Sequence, residues 1–342
     1  METPQRIDEH PDLRPRHVTV RDGKAGLPYS KGVMATSVMA AGLPPFRAFH
    51  VAEVIERLLH AANRDEVCTD DLRALAVQVL EEEIGARYAD NYRRWQRAQH
   101  RTVPLVVLIG GTTGVGKSTV ATNVASRLGI VRIVSTDAIR EVMRGIFTRE
   151  MMPALHTSSF DVSSVLHDQP DGEDVVLAGF RQQVQAVSVG ITQLIHRAVV
   201  EGTDLIIEGA HIVPGFLNLP GPLEALVAPV VITVDEDEIH RSHFMARAQD
   251  SRARQHDRYL RHLSDIRKIQ QYVRQLAQEH DVAVVPSYGL DATVARVMEL
   301  VVAAATAGQP GEQQIPAAGD VPADEQHGSA SEGLAPRRSG VE

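Results

Sequence analysis

One stretch constrains this chain more than any other: Gly111-Thr112-Thr113-Gly114-Val115-Gly116-Lys117-Ser118. It follows the apolar run Val103-Pro104-Leu105-Val106-Val107-Leu108-Ile109, the pattern of a strand buried on both faces. After it, Val120, Val124 and Leu128 recur every four residues, as on one face of a helix. Strand, glycine-rich turn and helix in that order make a loop whose backbone N–H groups converge. Glycines permit the tight wrap, and the helix N-terminus adds partial positive charge. Such a loop cradles phosphates. Lys117 is placed to neutralise the β- and γ-phosphates of a nucleotide, and the Ser118 hydroxyl to ligate a divalent cation. Gly111, Thr112, Thr113, Gly114, Val115, Gly116 and Thr119 complete the nucleotide surface, so ATP and Mg²⁺ are the expected ligands.

Further apolar runs at 131–134, 205–207, 230–234 and 282–285 alternate with helical patterns, including long ones at 173–200 and 255–280. Strand and helix repeated in this way predict an α/β, P-loop, three-layer fold with a five-stranded parallel sheet, spanning residues 99–305. The chain has no Asn-Lys-x-Asp guanine reader, which argues against a GTPase. Its strand Asp204-Leu205-Ile206-Ile207-Glu208 ends in one Glu followed by Gly209, unlike the Asp-Glu ending of motor and transporter ATPases. A small-molecule kinase remains, in which catalysis is mainly positioning and charge neutralisation.

Ahead of this region, residues 15–98 read as a small, mostly helical module. A short strand from Val18 is closed by the turn signal Asp22-Gly23, and helical patterns follow at 30–41, 47–62, 69–84 and 86–98. Val51, Val54, Ile55, Leu58 and Leu59 form one apolar stripe. Residues 1–14 and 306–342 are polar or rich in Gly, Pro, Ala, Glu and Gln, and are expected to be disordered tails. Acidic residues outnumber basic ones, 44 to 35, and aromatics are 4%, which speaks against nucleic acid as a partner. No apolar run approaches the roughly 20 residues of a membrane span. Cys68 is the single cysteine, so no internal disulfide forms and a reducing, cytoplasmic compartment fits. A homo-oligomer is compatible with the sequence.

Candidates for the acceptor site begin at Ser135-Thr136-Asp137, expected to end the second strand of the sheet and open a helix. Ile139, Val142, Met143 and Ile146 are expected to form the buried stripe of that helix, leaving Asp137, Arg140 and Arg144 together on the opposite face. Ligands of open parallel sheets lie beyond the carboxyl ends of the strands. There Asp137 would orient or deprotonate an acceptor hydroxyl, while Arg140 and Arg144 clamp a carboxylate or phosphate. A plain helix cap is the competing reading of Asp137. Glu208 is a candidate for the magnesium shell, and His211, in the loop that follows, for the substrate. The basic residues Arg241, Arg247, Arg252, Arg254, Arg258, Arg261, Arg267 and Lys268 suit a lid over the transferring phosphoryl group, against the plainer reading of a solvated helix. Of these, Arg252 and Arg254 are assigned to catalysis, and Arg247 and Arg258 to the substrate. The acids at 235–238 are read as a helix start rather than a metal cluster, and His240 with His243 lacks a third ligand.

Four stretches, taken together, resemble the 2-phosphoglycerate kinase family. They are the loop from Ile109 to Thr119, the helix from Ser135 to Arg144, Glu208-Gly209-Ala210-His211-Ile212-Val213-Pro214-Gly215, and Arg258-Tyr259-Leu260 with Ile266-Arg267-Lys268-Ile269-Gln270. The first module likewise resembles an ATP-cone, departing from it where Val20, rather than a basic residue, precedes Arg21. The resemblance implies transfer of the ATP γ-phosphoryl group to the 3-hydroxyl of 2-phosphoglycerate, giving 2,3-bisphosphoglycerate. The residues by themselves leave open a kinase for another small phosphorylated or polyol acceptor, or a nucleotide-sensing regulator.

Overall fold

In the first module, β1 (Thr19–Asp22) pairs antiparallel with β2 (Ala25–Pro28), Asp22 opposite Ala25, and parallel with β3 (Glu66–Cys68). The helical module therefore also carries a three-stranded sheet. Strands of three and four residues are too short to show a period of two, which is why the sequence reads as mostly helix. The computed structural model describes residues 18–22, 25–165, 174–222, 224–242, 259 and 261–307. The two tails expected to be disordered lie almost wholly outside them.

Four helices complete the module: α1 (Lys31–Met39), α2 (Pro45–Ala61), α3 (Thr69–Glu83) and α4 (Ala86–Ala98). Pro45 opens α2, where its missing N–H costs nothing. Val38, Val51, Ile55, Leu80 and Tyr92 meet in one core. Leu58, expected on the same stripe, is instead 41% exposed.

The second region is a parallel sheet of β4 (Leu105–Gly110), β5 (Ile133–Ser135), β6 (Leu205–Glu208), β7 (Leu226–Thr233) and β8 (Ala283–Pro286). Its strand order is β5-β6-β4-β7-β8, and every neighbouring pair is parallel. The strand beginning at 131 in the apolar pattern starts at Ile133, and Val131 is 93% exposed. All of β4 is buried because helices cover both faces. Val107 and Ile109 pack with α5 (Lys117–Leu128) and α9 (Leu290–Thr306), through Val120, Val124, Val297 and Val301. Val106 and Leu108 face the other way, onto Val187, Ile191 and Ile195 of α7 (Val175–Glu201). Beside α7, Ile266, Ile269 and Val273 of α8 (Leu263–Glu279) cover Val231. This is the expected three-layer α/β architecture.

The modules share packing. Ala40, Trp95 and Ala98 lie in the same cluster as Val294, Val297 and Val301 of α9. Arg127, near the end of α5, is 4% exposed. Its guanidinium reaches the carbonyl of Gly42 at 3.5 Å and the carboxylate of Asp291 at 3.8 Å. Burial lowers the Arg127 pKa and Asp291 opposes that shift. Among the described residues, no helix is long and apolar enough to cross a membrane.

Candidate active site

β4 delivers the chain into the glycine-rich loop at Gly111. That residue has φ +134, and a Cβ there would lie 2.3 Å from the Ile232 carbonyl oxygen. Only glycine fits such an approach. Val115 is fully buried, so its side chain belongs to the core and only its main chain is available to a ligand. Lys117 opens α5, and its ammonium folds back to donate to the Thr112 carbonyl at 2.8 Å. Ser118 and Thr119 follow on the same turn, both exposed. The hydroxyl of Thr112 is buried with no hydrogen-bond partner among the described residues.

A contact from elsewhere fixes the loop. His240, fully buried in the helical stretch 237–242, meets the Thr113 carbonyl at 2.8 Å through Nε2. A carbonyl only accepts, so that nitrogen carries the proton. His240 is thus a tether of the phosphate loop, a role with no signal in the sequence. The acids nearby are held by neighbours: Asp235 by Arg274 and Tyr288, Asp237 by Arg267. Among the described residues, no group of three or more His, Cys, Asp or Glu could hold a metal.

β6 ends beside β4, Glu208 in register with Ile109. Its buried carboxylate accepts from the Ser118 hydroxyl at 3.0 Å. Hydroxyl and carboxylate oxygens are the hard donors that a magnesium ion takes. The chain then turns at Gly209, with φ +153, where a Cβ would fall 1.8 Å from Thr136 Oγ1. That contact seats the start of α6 (Thr136–Ile146) against the end of β6.

Ser135 caps α6 by accepting from the Ala138 N–H, so Asp137 is free of the capping role and sits in the first turn with a 72% exposed carboxylate. The buried stripe differs from the expected one. Val142 and Ile146 are 67% and 68% exposed, and the inward line runs through Thr136, Ile139, Arg140, Met143 and Arg144. Both arginines therefore lie on the inward side of the helix, not opposite it. Their spacing of four matches that line as well as the outward one, and carbonyl acceptors decide between them. Nη1 of Arg140 donates to the carbonyls of Leu155 and Thr157, at 3.3 and 2.5 Å. Its Nη2 lies 3.4 Å from Asp137. Arg144 pairs with Glu141 at 2.6 Å. The Nε of each arginine is buried and has no hydrogen-bond partner among the described residues.

His211 is fully buried rather than lying open in its loop. Its Nδ1 is 2.8 Å from Thr136 Oγ1 and its Nε2 is 3.0 Å from Gln183 Oε1. Burial pushes its pKa down to about 4, with Asp137 opposing the shift and Arg140 and Lys117 adding to it. The imidazole is neutral at pH 7.

Arg247, Arg252, Arg254 and Arg258 lie outside the described residues, as does His243. Arg267 donates to the carbonyls of Val234 and Asp235, and Lys268 pairs with Asp174, which caps α7. Those two cations brace α8.

Relatives decide the class. A 2-phosphoglycerate kinase of Methanopyrus kandleri is 36% identical over 292 residues, covering 84% of this chain and 87% of its own. The chain belongs to the 2-phosphoglycerate kinase family. Another member, from Thermococcus kodakarensis, is 38% identical over 281 residues, 82% of this chain and 95% of that one. Membership of the 2-phosphoglycerate kinase family makes the protein an ATP-dependent phosphotransferase. No family model matches the chain. Among solved structures, a shikimate kinase from Acinetobacter baumannii in complex with shikimate aligns with a TM-score of 0.34 at 16% identity, over 59% of this chain and 94% of that one.

Proposed function

We propose that the protein transfers the γ-phosphoryl group of ATP to the 3-hydroxyl of 2-phosphoglycerate, giving 2,3-bisphosphoglycerate. The supporting observation is the juxtaposition, at the carboxyl ends of β4, β5 and β6, of a phosphate loop and a helix that presents Asp137 and Arg140. The curated relatives, named 2-phosphoglycerate kinases, supply the acceptor. It carries both a phosphate and a carboxylate, and two arginines on one side of α6 suit such a doubly anionic molecule.

In this reading Lys117 and the loop N–H groups bind the β- and γ-phosphates. Ser118 and Glu208 would hold Mg²⁺, whose charge offsets that developing on the phosphates. Asp137, exposed and beside Arg140, orients the acceptor hydroxyl and takes its proton as the O–P bond forms and the bond to ADP breaks. A loose phosphoryl-transfer transition state asks little of the base, so orientation is its larger contribution. Arg140 and Arg144 hold the acceptor's anionic groups, with Arg247, Arg252, Arg254 and Arg258 assigned to a covering lid. His211 is too buried to touch the acceptor directly, so its part is indirect.

ATP consumption with Mg²⁺ and 2-phosphoglycerate, 3-phosphoglycerate or glycerate tests the assignment. Selective turnover with the first is expected. Equal turnover with all three, or none with any, would reject 2-phosphoglycerate as the acceptor.

A further inference from the structure

Gln183 closes a ring of hydrogen bonds that begins and ends on α6. Its side chain is fully buried. Its Nε2 faces the carbonyls of Ala154 and Thr157, the latter at 3.2 Å. Carbonyls only accept, so the amide nitrogen must lie on that side and Oε1 must face His211. Oε1 therefore accepts from His211 Nε2–H at 3.0 Å. With its proton on Nε2, His211 can only accept at Nδ1, and Thr136 Oγ1–H donates there at 2.8 Å. Thr136 is itself fully buried, one residue before Asp137. The same Thr157 carbonyl takes the Arg140 guanidinium at 2.5 Å, and Arg140 leads back to Asp137 at 3.4 Å.

We infer that Gln183 is a positioning residue for the acceptor site. It sets the His211 tautomer that pins Thr136, and it fixes the Thr157 carbonyl that aims Arg140. One amide thereby places both the hydroxyl-orienting acid and the anion-binding arginine, although it touches neither. Each bond in the ring has one permitted direction, so the ring has a single arrangement. A buried apolar replacement would leave the Ala154 carbonyl and the His211 Nε2–H unpaired and the Thr157 carbonyl held by Arg140 alone, and the turn would shift to resolve them. The phosphate loop shares none of these bonds; it is held through His240 and Ser118–Glu208.

The inference rests on the proposed function for its substrate, and its test separates the two. Gln183→Met should raise the KM for 2-phosphoglycerate by about tenfold or more while leaving the KM for ATP nearly unchanged. Thr136→Val should act in the same direction, and Thr136→Ser, which keeps the donor, should restore the wild-type KM. A wild-type protein that fails to use 2-phosphoglycerate rejects the proposed function. Wild-type turnover with unaltered acceptor KM in both Gln183→Met and Thr136→Val overturns the positioning role alone. So does an equal rise in both KM values, which marks a merely structural residue. Imidazole ¹⁵N shifts of His211 in the wild-type protein are expected to show a protonated Nε2. A protonated Nδ1 would overturn the ring whatever the turnover, and whether or not the variants fold.

Discussion

Ser118 donates its hydroxyl to Glu208 Oε1 at 3.0 Å, joining the helix behind the phosphate loop to the end of the adjacent strand β6. The two residues lie far apart in sequence, and the pair exists only because β6 lies beside β4. Glu208→Gln keeps a hydrogen-bond acceptor of the same shape but removes the charge. Turnover is expected to fall about a hundredfold at fixed Mg²⁺, with ATP binding largely retained. A titration of rate against Mg²⁺ checks this; an unchanged curve would remove Glu208 from the metal site.

Lys117 is buried within the loop and donates to the main-chain carbonyl of Thr112. Its charge serves phosphates rather than the core, so Lys117→Ala should lose turnover by about a thousandfold or more and keep the fold. Circular dichroism beside a turnover assay measures both. Substantial remaining activity would mean that phosphate binding lies elsewhere.

Arg140→Ala is expected to raise the acceptor KM by about ten- to a hundredfold, because a charge-assisted contact to an anion is lost. The KM for ATP should hardly move. Its guanidinium also satisfies the Leu155 and Thr157 carbonyls, so a modest fall in stability should accompany the kinetic change. A change confined to ATP would contradict the assignment.

Acid should weaken the fold through His211. Its pKa, about 4 when buried against about 6.5 when unfolded, means that the unfolded chain takes up a proton that the folded one refuses. The stabilisation from keeping it neutral is fully present above pH 6.5 and is lost as pH falls from there towards 4. At full extent the loss is on the order of 3 kcal/mol. Around the ring, Asp137 favours its protonation whereas Arg140 and Lys117 disfavour it. Urea midpoints measured from pH 7 to 4 should fall less steeply for His211→Gln than for wild type. Parallel curves would show that another group governs the acid limb.

Gly209→Ala places a methyl group where Thr136 Oγ1 already lies, at a backbone angle that alanine rarely adopts. A loss of about 1–3 kcal/mol is expected from the crowding. Chemical denaturation reads it directly, and wild-type stability would show that α6 can shift away from β6.

How legible was this in the sequence? The phosphate loop was, because glycines, Lys117 and a flanking apolar strand signal one another over a dozen neighbouring positions. So was the parallel sheet, from apolar runs spaced by helices. Short strands were not: β2 and β3 owe their conformation to pairing with β1. Nor was the inward face of α6, since Ile139 and Met143 fit two overlapping stripes and only the carbonyls of 155 and 157 choose between them. His240 and Gln183 were silent for a related reason. A buried polar side chain is defined by partners from distant segments, and one sequence lists residues without their partners.

The guanidinium of Arg127 sits under the floor of the helix whose other end holds Lys117, and it leans on a carbonyl from the first eighty residues. A protein cut before β4 would take the Gly42 carbonyl from that cation, leaving it Asp291, and would remove Ala40, Trp95 and Ala98 from the cluster they share with Val294 and Val301. The front of the chain is therefore part of the engine's mounting, and a gene trimmed to start at β4 should yield insoluble material, not a smaller enzyme.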